Sequence, residues 1–361
     1  MTKPLFLLGE AWGEHEERIE EPFVGPSGVA LLRMLADAKV ISLSGTDQDF
    51  ISDFYRRGDP KSIRSVWLRH PEVHRTNVFA LRPLGNKLET LCGPRDLGIP
   101  SYGPVIPGKY IRVEYSSHLD RLAEEILALD PNLIVPLGGT ALWALTGSTG
   151  ITKVRGTIVV STHCAAGYKL LPTYHPAAVL RQWELRPTTV ADLQKAFYEQ
   201  STITITRPSC EVWIEPTLED LARFPMASEI LSVDIETTGS RVTCIGFAPS
   251  PNHALVVPFD DSRSTSGSYW PTPTDERLAW DFVREVLHSP TPKLFQNGLY
   301  DIAFLWRSYG IKVRNALHDT MLLSHALQPE ALKGLGYLGS LYTDFGPWKT
   351  EHRNKTIGRD K

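Results

Sequence analysis

Four fragments in the first half of the chain carry side chains that could hold a flat heterocycle and help it leave a sugar. They are Gly9-Glu10-Ala11-Trp12-Gly13 running on to Glu16, then Pro22-Phe23-Val24-Gly25, then Thr76-Asn77, and finally Thr173-Tyr174-His175-Pro176. A ring such as Phe23 can stack on a base, a carboxamide can read its edge, and an imidazole can donate to an oxygen where negative charge gathers. Each fragment alone is ordinary, because a His before Pro is usually a loop residue and a phenylalanine is usually core. Their joint presence, in this order, is what points to a base pocket.

A second constellation lies downstream. Residues 229–239 read as an apolar strand that delivers Asp234 and Glu236 at i and i+2, hence on one face. Two acids side by side repel unless a cation lies between them. Asn297-Gly298-Leu299-Tyr300-Asp301 then leads into a helical run at 302–305, and His318-Asp319-Thr320 opens a further helix.

The elements that must position these groups follow from hydrophobic periodicity. Residues 5–8, 76–80, 133–137, 157–161 and 170–172 read as strands, and 28–38, 119–129 and 140–145 as helices. Alternation of this kind implies an open, largely parallel sheet covered by helices. Ligands of such sheets sit beyond the carboxyl ends of the strands, where Gly9, Asn77, Gly138 and Thr173 all fall. Residues 41–75 and 84–117 read as irregular insertions over one sheet edge. A new α/β unit is expected from the capped helix start Thr217-Leu218-Glu219-Asp220.

At 361 residues the chain has room for two domains with separate cores. Cys92, Cys164, Cys210 and Cys244 form no C-x-x-C pair and read as free thiols of a reducing cytoplasm. No apolar run is long enough to span a bilayer, so no membrane partner is expected. The net charge of -3 argues against a protein that coats nucleic acid, yet a local basic groove is all that an enzyme acting on DNA needs.

Over residues 5–197 the four fragments resemble the family 4 uracil-DNA glycosylases, whose first motif reads Gly-Glu-Ala-Pro-Gly. The resemblance implies that Gly9, Phe23, Asn77 and His175 bind an everted uracil. Asn77 would accept from N3–H while donating to O4, a pattern that cytosine reverses, and His175 would donate to O2. It further implies that Glu10 and Glu16 lie near the water or the sugar cation, and leaves open which of them orients the water. The stretch Ala177-Ala178-Val179-Leu180-Arg181 matches the family's duplex-penetrating loop, with Leu180 the wedge and Arg181 a phosphate or base contact. Two departures stand out: Trp12 replaces the motif proline, and Leu81 replaces a cysteine that ligates an iron-sulfur cluster in the family. No cluster and no other cofactor is therefore expected in this domain.

Residues 218–361 resemble the DEDD 3'-5' exonucleases, especially the proofreading domain of family A DNA polymerases. The resemblance assigns Asp234, Glu236 and Asp301 to two Mg2+ (or Mn2+) ions about 4 Å apart, with Asp319 in support. The family's last aspartate, in a Tyr-x3-Asp or His-x4-Asp pattern, finds no match, since Tyr337 is followed by Leu341 and His325 by Glu330 at those spacings. The expectation is a fragment of a longer polymerase-like protein or a degenerate module.

The sequence thus predicts an α/β chain. A parallel-sheet uracil-DNA glycosylase-like domain covers 1–205, a linker 206–217, and a partial ribonuclease H-like α/β domain 218–361. The expected activity is release of uracil from single- or double-stranded DNA. DNA is the expected partner, with a DNA polymerase, or the rest of one, as a second. The alternatives are a polymerase fragment whose first domain only recognises uracil, and a scaffold with both sites decayed.

Overall fold

The computed structural model describes residues 3–206 and 208–345. The chain divides into two compact units, Met1–Arg207 with Gly339–Lys361, and Pro208–Leu338.

Leu5-Phe6-Leu7-Leu8 has no polar side chain to give to a solvated face, and it becomes an interior strand of the first sheet, with all four residues fully buried. Leu5 and Leu7 enter one apolar core, and Phe6 and Leu8 enter another on the opposite face. The strands of this unit are β1 (Leu5–Ala11), β2 (Val73–Phe79), β3 (Cys92–Gly93), β4 (Tyr110–Ile111), β5 (Ile134–Pro136), β6 (Val159–Val160) and β7 (Lys169–Leu170). Five of them form a sheet in the order β2-β1-β5-β7-β6, parallel except where β6 meets β7. β3 and β4 make a separate antiparallel pair.

Residues 41–75 depart from the irregular insertion expected of them, for they hold helices Gly45–Arg57 and Pro60–Trp67. Two caps explain the difference. The Ser44 hydroxyl accepts from Asp47 N while the Asp47 carboxylate accepts from Ser44 N at 2.8 Å, and Asp59 caps the second helix ahead of Pro60. Ile51, Phe54, Ile63, Val66 and Trp67 then bury the shared apolar face.

The second unit contains β8 (Glu211–Trp213), β9 (Leu231–Thr238), β10 (Arg241–Ser250), β11 (His253–Pro258), β12 (Lys293–Phe295) and β13 (Ala316–Asp319), in the order β13-β12-β9-β10-β11-β8. β9, β10 and β11 are an antiparallel meander, and β12 and β13 run parallel to β9. Val233, Ile235, Ile245 and Phe247 pack beneath the amphipathic helix Pro273–His288. Residues 206–217, expected to be a linker, include β8, which pairs with β11 and so belongs to this sheet. Residues 339–345, expected in the second domain, group with the first unit, where Arg155 Nη1 donates to Ser340 Oγ at 2.9 Å. The charged tail 349–361 lies outside the described residues. Among the described residues no helix is long and apolar enough to cross a membrane.

Candidate functional site

The carboxyl ends of β1, β2, β5 and β7 converge on one cavity of about 530 Å³, lined among others by Glu10, Phe23, Asn77, Gly138, His175 and Arg181. Gly9 and Asn77 face each other in the β1–β2 register. A Cβ on Gly9 would fall 2.2 Å from Asn77 Oδ1 and 2.5 Å from Phe23 Cζ, so only glycine lets the amide and the ring close together there. Phe23 itself is buried with φ 56°, a backbone conformation rare for a bulky residue. Two contacts hold it: Trp67 Nε1 donates to Phe23 O at 2.8 Å, and Gly28 packs so tightly that a Cβ would lie 1.8 Å from the same oxygen.

Glu16 supplies the remaining support. Its Oε1 accepts from Val24 N (3.0 Å) and Gly25 N (2.8 Å), and its Oε2 from Gly13 N (3.2 Å). Both oxygens are thus engaged in joining the first and second sequence fragments. Glu10 differs: burial raises its carboxyl above the ordinary range, with the Thr140 hydroxyl, 2.5 Å away, and Arg181 opposing the rise and Glu89 adding to it. Both glutamates line the cavity, Glu16 with its two oxygens bonded to backbone amides and Glu10 with one bond from the Thr140 hydroxyl.

His175 follows β7 and caps the short helix Pro176–Arg181. Its Nδ1 accepts from Ala177 N at 3.1 Å, which leaves the neutral ring's proton on Nε2. Burial, with the Arg181 charge adding, pushes the imidazole down to about 4, so it is a neutral donor at physiological pH. Its ring centroid lies 6.0 Å from that of Phe23, at an interplanar angle of 31°. Leu180 and Arg181 are exposed at the end of the same helix, and Arg181 also lines the cavity.

Three supporting residues are absent from the sequence reading. Arg121 Nη2 donates to Asn77 O at 2.5 Å and to Val78 O at 3.2 Å, pinning the end of β2. Trp67 holds Phe23, and Thr140 holds Glu10. None stands near its partner in sequence; only the Gly138-Gly139-Thr140 strand-to-helix turn gave a local signal.

In the second unit Asp234 and Glu236 are exposed on one face of β9. Asp301 is buried and accepts from Ile235 N at 3.2 Å, and burial raises its carboxyl, with Asp234 and Asp319 adding to the rise. Asp319 is committed to backbone, accepting from Asn297 N, Gly298 N, Met321 N and Leu322 N. The expected metal set Asp234, Glu236 and Asp301 does not come together: among the described residues no group of three or more His, Cys, Asp or Glu could hold a metal ion. The physical reason is that Asp301 turns to the β9 backbone and Asp319 to a helix start. These residues do not fit a two-ion centre. Nor does the first unit fit a four-thiolate cluster, since it carries only Cys92 and Cys164, both with burial-raised thiols, the latter at about 12.

Comparison with known proteins bears on both units. The family profile "Uracil DNA glycosylase superfamily" matches residues 2–199 and the profile "3'-5' exonuclease" matches residues 211–356. The type-4 uracil-DNA glycosylase of Thermotoga maritima is 27% identical over 201 residues, covering 53% of this chain and 75% of its own. That of Archaeoglobus fulgidus is 28% identical over 197 residues, covering 53% and 74%. A DNA polymerase of Bacillus phage SP01 is 27% identical over 240 residues, covering 58% of this chain and 25% of the polymerase, so the chain spans a quarter of that relative's length. Escherichia coli RNase D is similar in structure with a TM-score of 0.30 at 16% identity, over 42% of this chain and 38% of that one. By the profile that spans more than half of its length, the chain belongs to the uracil DNA glycosylase superfamily, and a 3'-5' exonuclease-like domain follows.

Proposed function

We propose that the first unit hydrolyses the N-glycosidic bond of uracil in DNA. The observation that carries this reading is His175, a neutral imidazole held by Ala177 N so that its Nε2–H is free to serve a cavity that Phe23 and Asn77 also line. Asn77 reads N3–H and O4, and Phe23 stacks on the ring. As the bond from C1' to N1 breaks, its electron pair goes to the base, and the charge on O2 meets the His175 donor. Glu10 faces the sugar cation and receives the proton of the water that adds to C1'. Glu16 is a positioning residue that fixes the Phe23 turn. Leu180 enters the duplex and Arg181 contacts phosphate or base. The second unit, whose expected metal set does not assemble among the described residues, holds DNA and cleaves it poorly.

The test is incubation of the full chain with uracil-containing single- and double-stranded oligonucleotides in EDTA and then in magnesium. Abasic sites formed in EDTA support the reading, whereas an intact uracil throughout overturns it. The alignment with a phage DNA polymerase favours a second reading, a proofreading fragment whose first unit recognises uracil without cutting. Magnesium-dependent shortening from the 3' end, with uracil retained, would identify it.

The pH dependence follows from the two shifted groups. Glu10 works ionised, and burial raises its carboxyl, so kcat falls as pH drops through a value above the ordinary 4.5. His175 stays neutral down to about 4 and adds nothing to that limb. Glu10→Gln is expected to lower the rate and flatten the limb. A limb that keeps its shape in this variant would show that another group is being titrated.

A further inference from the structure

Two exposed leucines border the cavity, and only one belongs to the helix after His175. Leu84 is 82% exposed and Leu180 49%. Leu84 opens the short turn Leu84–Asn86, and Pro83 and Asn86 on either side of its tip both line the cavity. The turn is tightly built. Asn86 N donates to Pro83 O at 2.9 Å, Lys87 N to Leu84 O at 3.2 Å, and Arg82 Nε to Asn86 Oδ1 at 2.8 Å. Gly85 and Asn86 both take left-handed backbone, at φ 62° and 56°. Arg82 is itself anchored to Glu17 at 3.1 Å.

Sheet order places this turn. It follows β2, whereas Leu180 follows β7, and β1 and β5 lie between those two strands. The two leucines therefore border the cavity from opposite sides. A single surface leucine is commonplace. Leu84 differs in being presented by a rigid turn, at the mouth of a pocket, with cavity-lining residues on both flanks and the exposed Lys87 beside it.

We propose that Leu84 is a second apolar wedge, which enters double-stranded DNA across the cavity from Leu180 and keeps the opened base pair from closing. The inference rests on the reading of the cavity as a pocket for an everted base. Extrusion from a duplex costs both pairing and stacking, and an apolar side chain inserted between base steps offsets part of that cost. Single-stranded DNA has no pair to reopen, so Leu84 acts on duplex substrates alone. Lys87 is the neighbouring phosphate contact.

The experiment compares the wild-type chain with Leu84→Ala and Leu84→Gln in single-turnover uracil release from a single strand and from U·A and U·G duplexes. Both variants are expected to lose about tenfold or more on the U·A duplex, less on the already weakened U·G pair, and to stay within about twofold of wild type on the single strand. The single-strand rate doubles as a control for folding. Equal rates on all substrates, or an equal loss on single and double strands, would overturn the wedge while leaving the glycosylase reading intact. Should the wild type release no uracil at all, the glycosylase reading fails. The wedge is then read by the fluorescence of 2-aminopurine placed next to uracil in a bound duplex. A rise on binding that Leu84→Ala diminishes supports it, and an undiminished rise or none overturns it.

Discussion

His175→Ala is expected to slow uracil release by about a hundredfold to a thousandfold, the usual cost of removing one donor aimed at a developing oxyanion. The effect should fall on the chemical step. The neutral ring donates more strongly as charge builds on O2 than it does to the carbonyl of bound uracil, so a duplex carrying an uncleavable uracil analogue should bind the variant nearly as well as the wild type. Asn77→Ala separates from it by losing base discrimination as well as rate, because the reading of N3–H and O4 goes with the amide. His175→Gln, which can place a neutral N–H in a similar position, should recover part of the loss. Single-turnover rates with saturating enzyme decide the matter. A His175→Ala rate within a factor of a few of wild type would remove the imidazole from the chemistry.

Asp192→Ala is expected to destabilise the first unit by about 3–5 kcal/mol, the range for removing one partner of a buried ion pair. Asp192 and Arg155 are 1% and 2% exposed at their side chains. The aspartate accepts from Arg155 Nε at 2.8 Å and from Thr173 Oγ1 at 2.6 Å, with a second contact to Arg155 Nη2. Its removal takes from a buried guanidinium the carboxylate that its Nε and Nη2 bond, and also loosens the strand end that leads into His175. Chemical denaturation followed by near-ultraviolet dichroism would register the loss as an earlier transition. The slackening of Thr173 should also lower the excision rate at temperatures where the variant is still folded. An unfolding free energy unchanged within about 0.5 kcal/mol would remove the Asp192–Arg155 pair from the stability of this unit.

The convergence of strand ends is legible in the amino-acid sequence because apolar runs that stop at Gly9, Gly138 and Thr173 leave few ways to arrange a parallel sheet, while Asn77 lies within its strand ahead of the buried Val78 and Phe79. Glu10 and Asn77 share that legibility because they sit near the ends of strands, whereas Phe23 lies in the turn between the helices Glu14–Ile19 and Pro26–Asp37 and is placed by its fragment alone. What the sequence hides is support from a distance. The Glu16 carboxylate could equally face a water, and only its bonds to Val24 N and Gly25 N give it to the backbone. The helices at Gly45–Arg57 and Pro60–Trp67 are obscured by a composition rich in arginine, serine and glycine, although Ser44 with Asp47 and Asp59 with Pro60 are start signals of a known kind. In the second unit the Asp-x-Glu strand is plain, but the sequence gives no sign that Asp301 and Asp319 bind backbone amides.

Phe23 keeps a left-handed backbone that costs on the order of 1–3 kcal/mol in isolation, and it is the folded unit that imposes it through Trp67, Gly28 and Glu16. The stacking surface is consequently fixed in advance and does not have to be ordered when a nucleotide arrives. In the proposed reading, a flipped base therefore meets a ring that is already in place, and binding it costs no ordering of that residue.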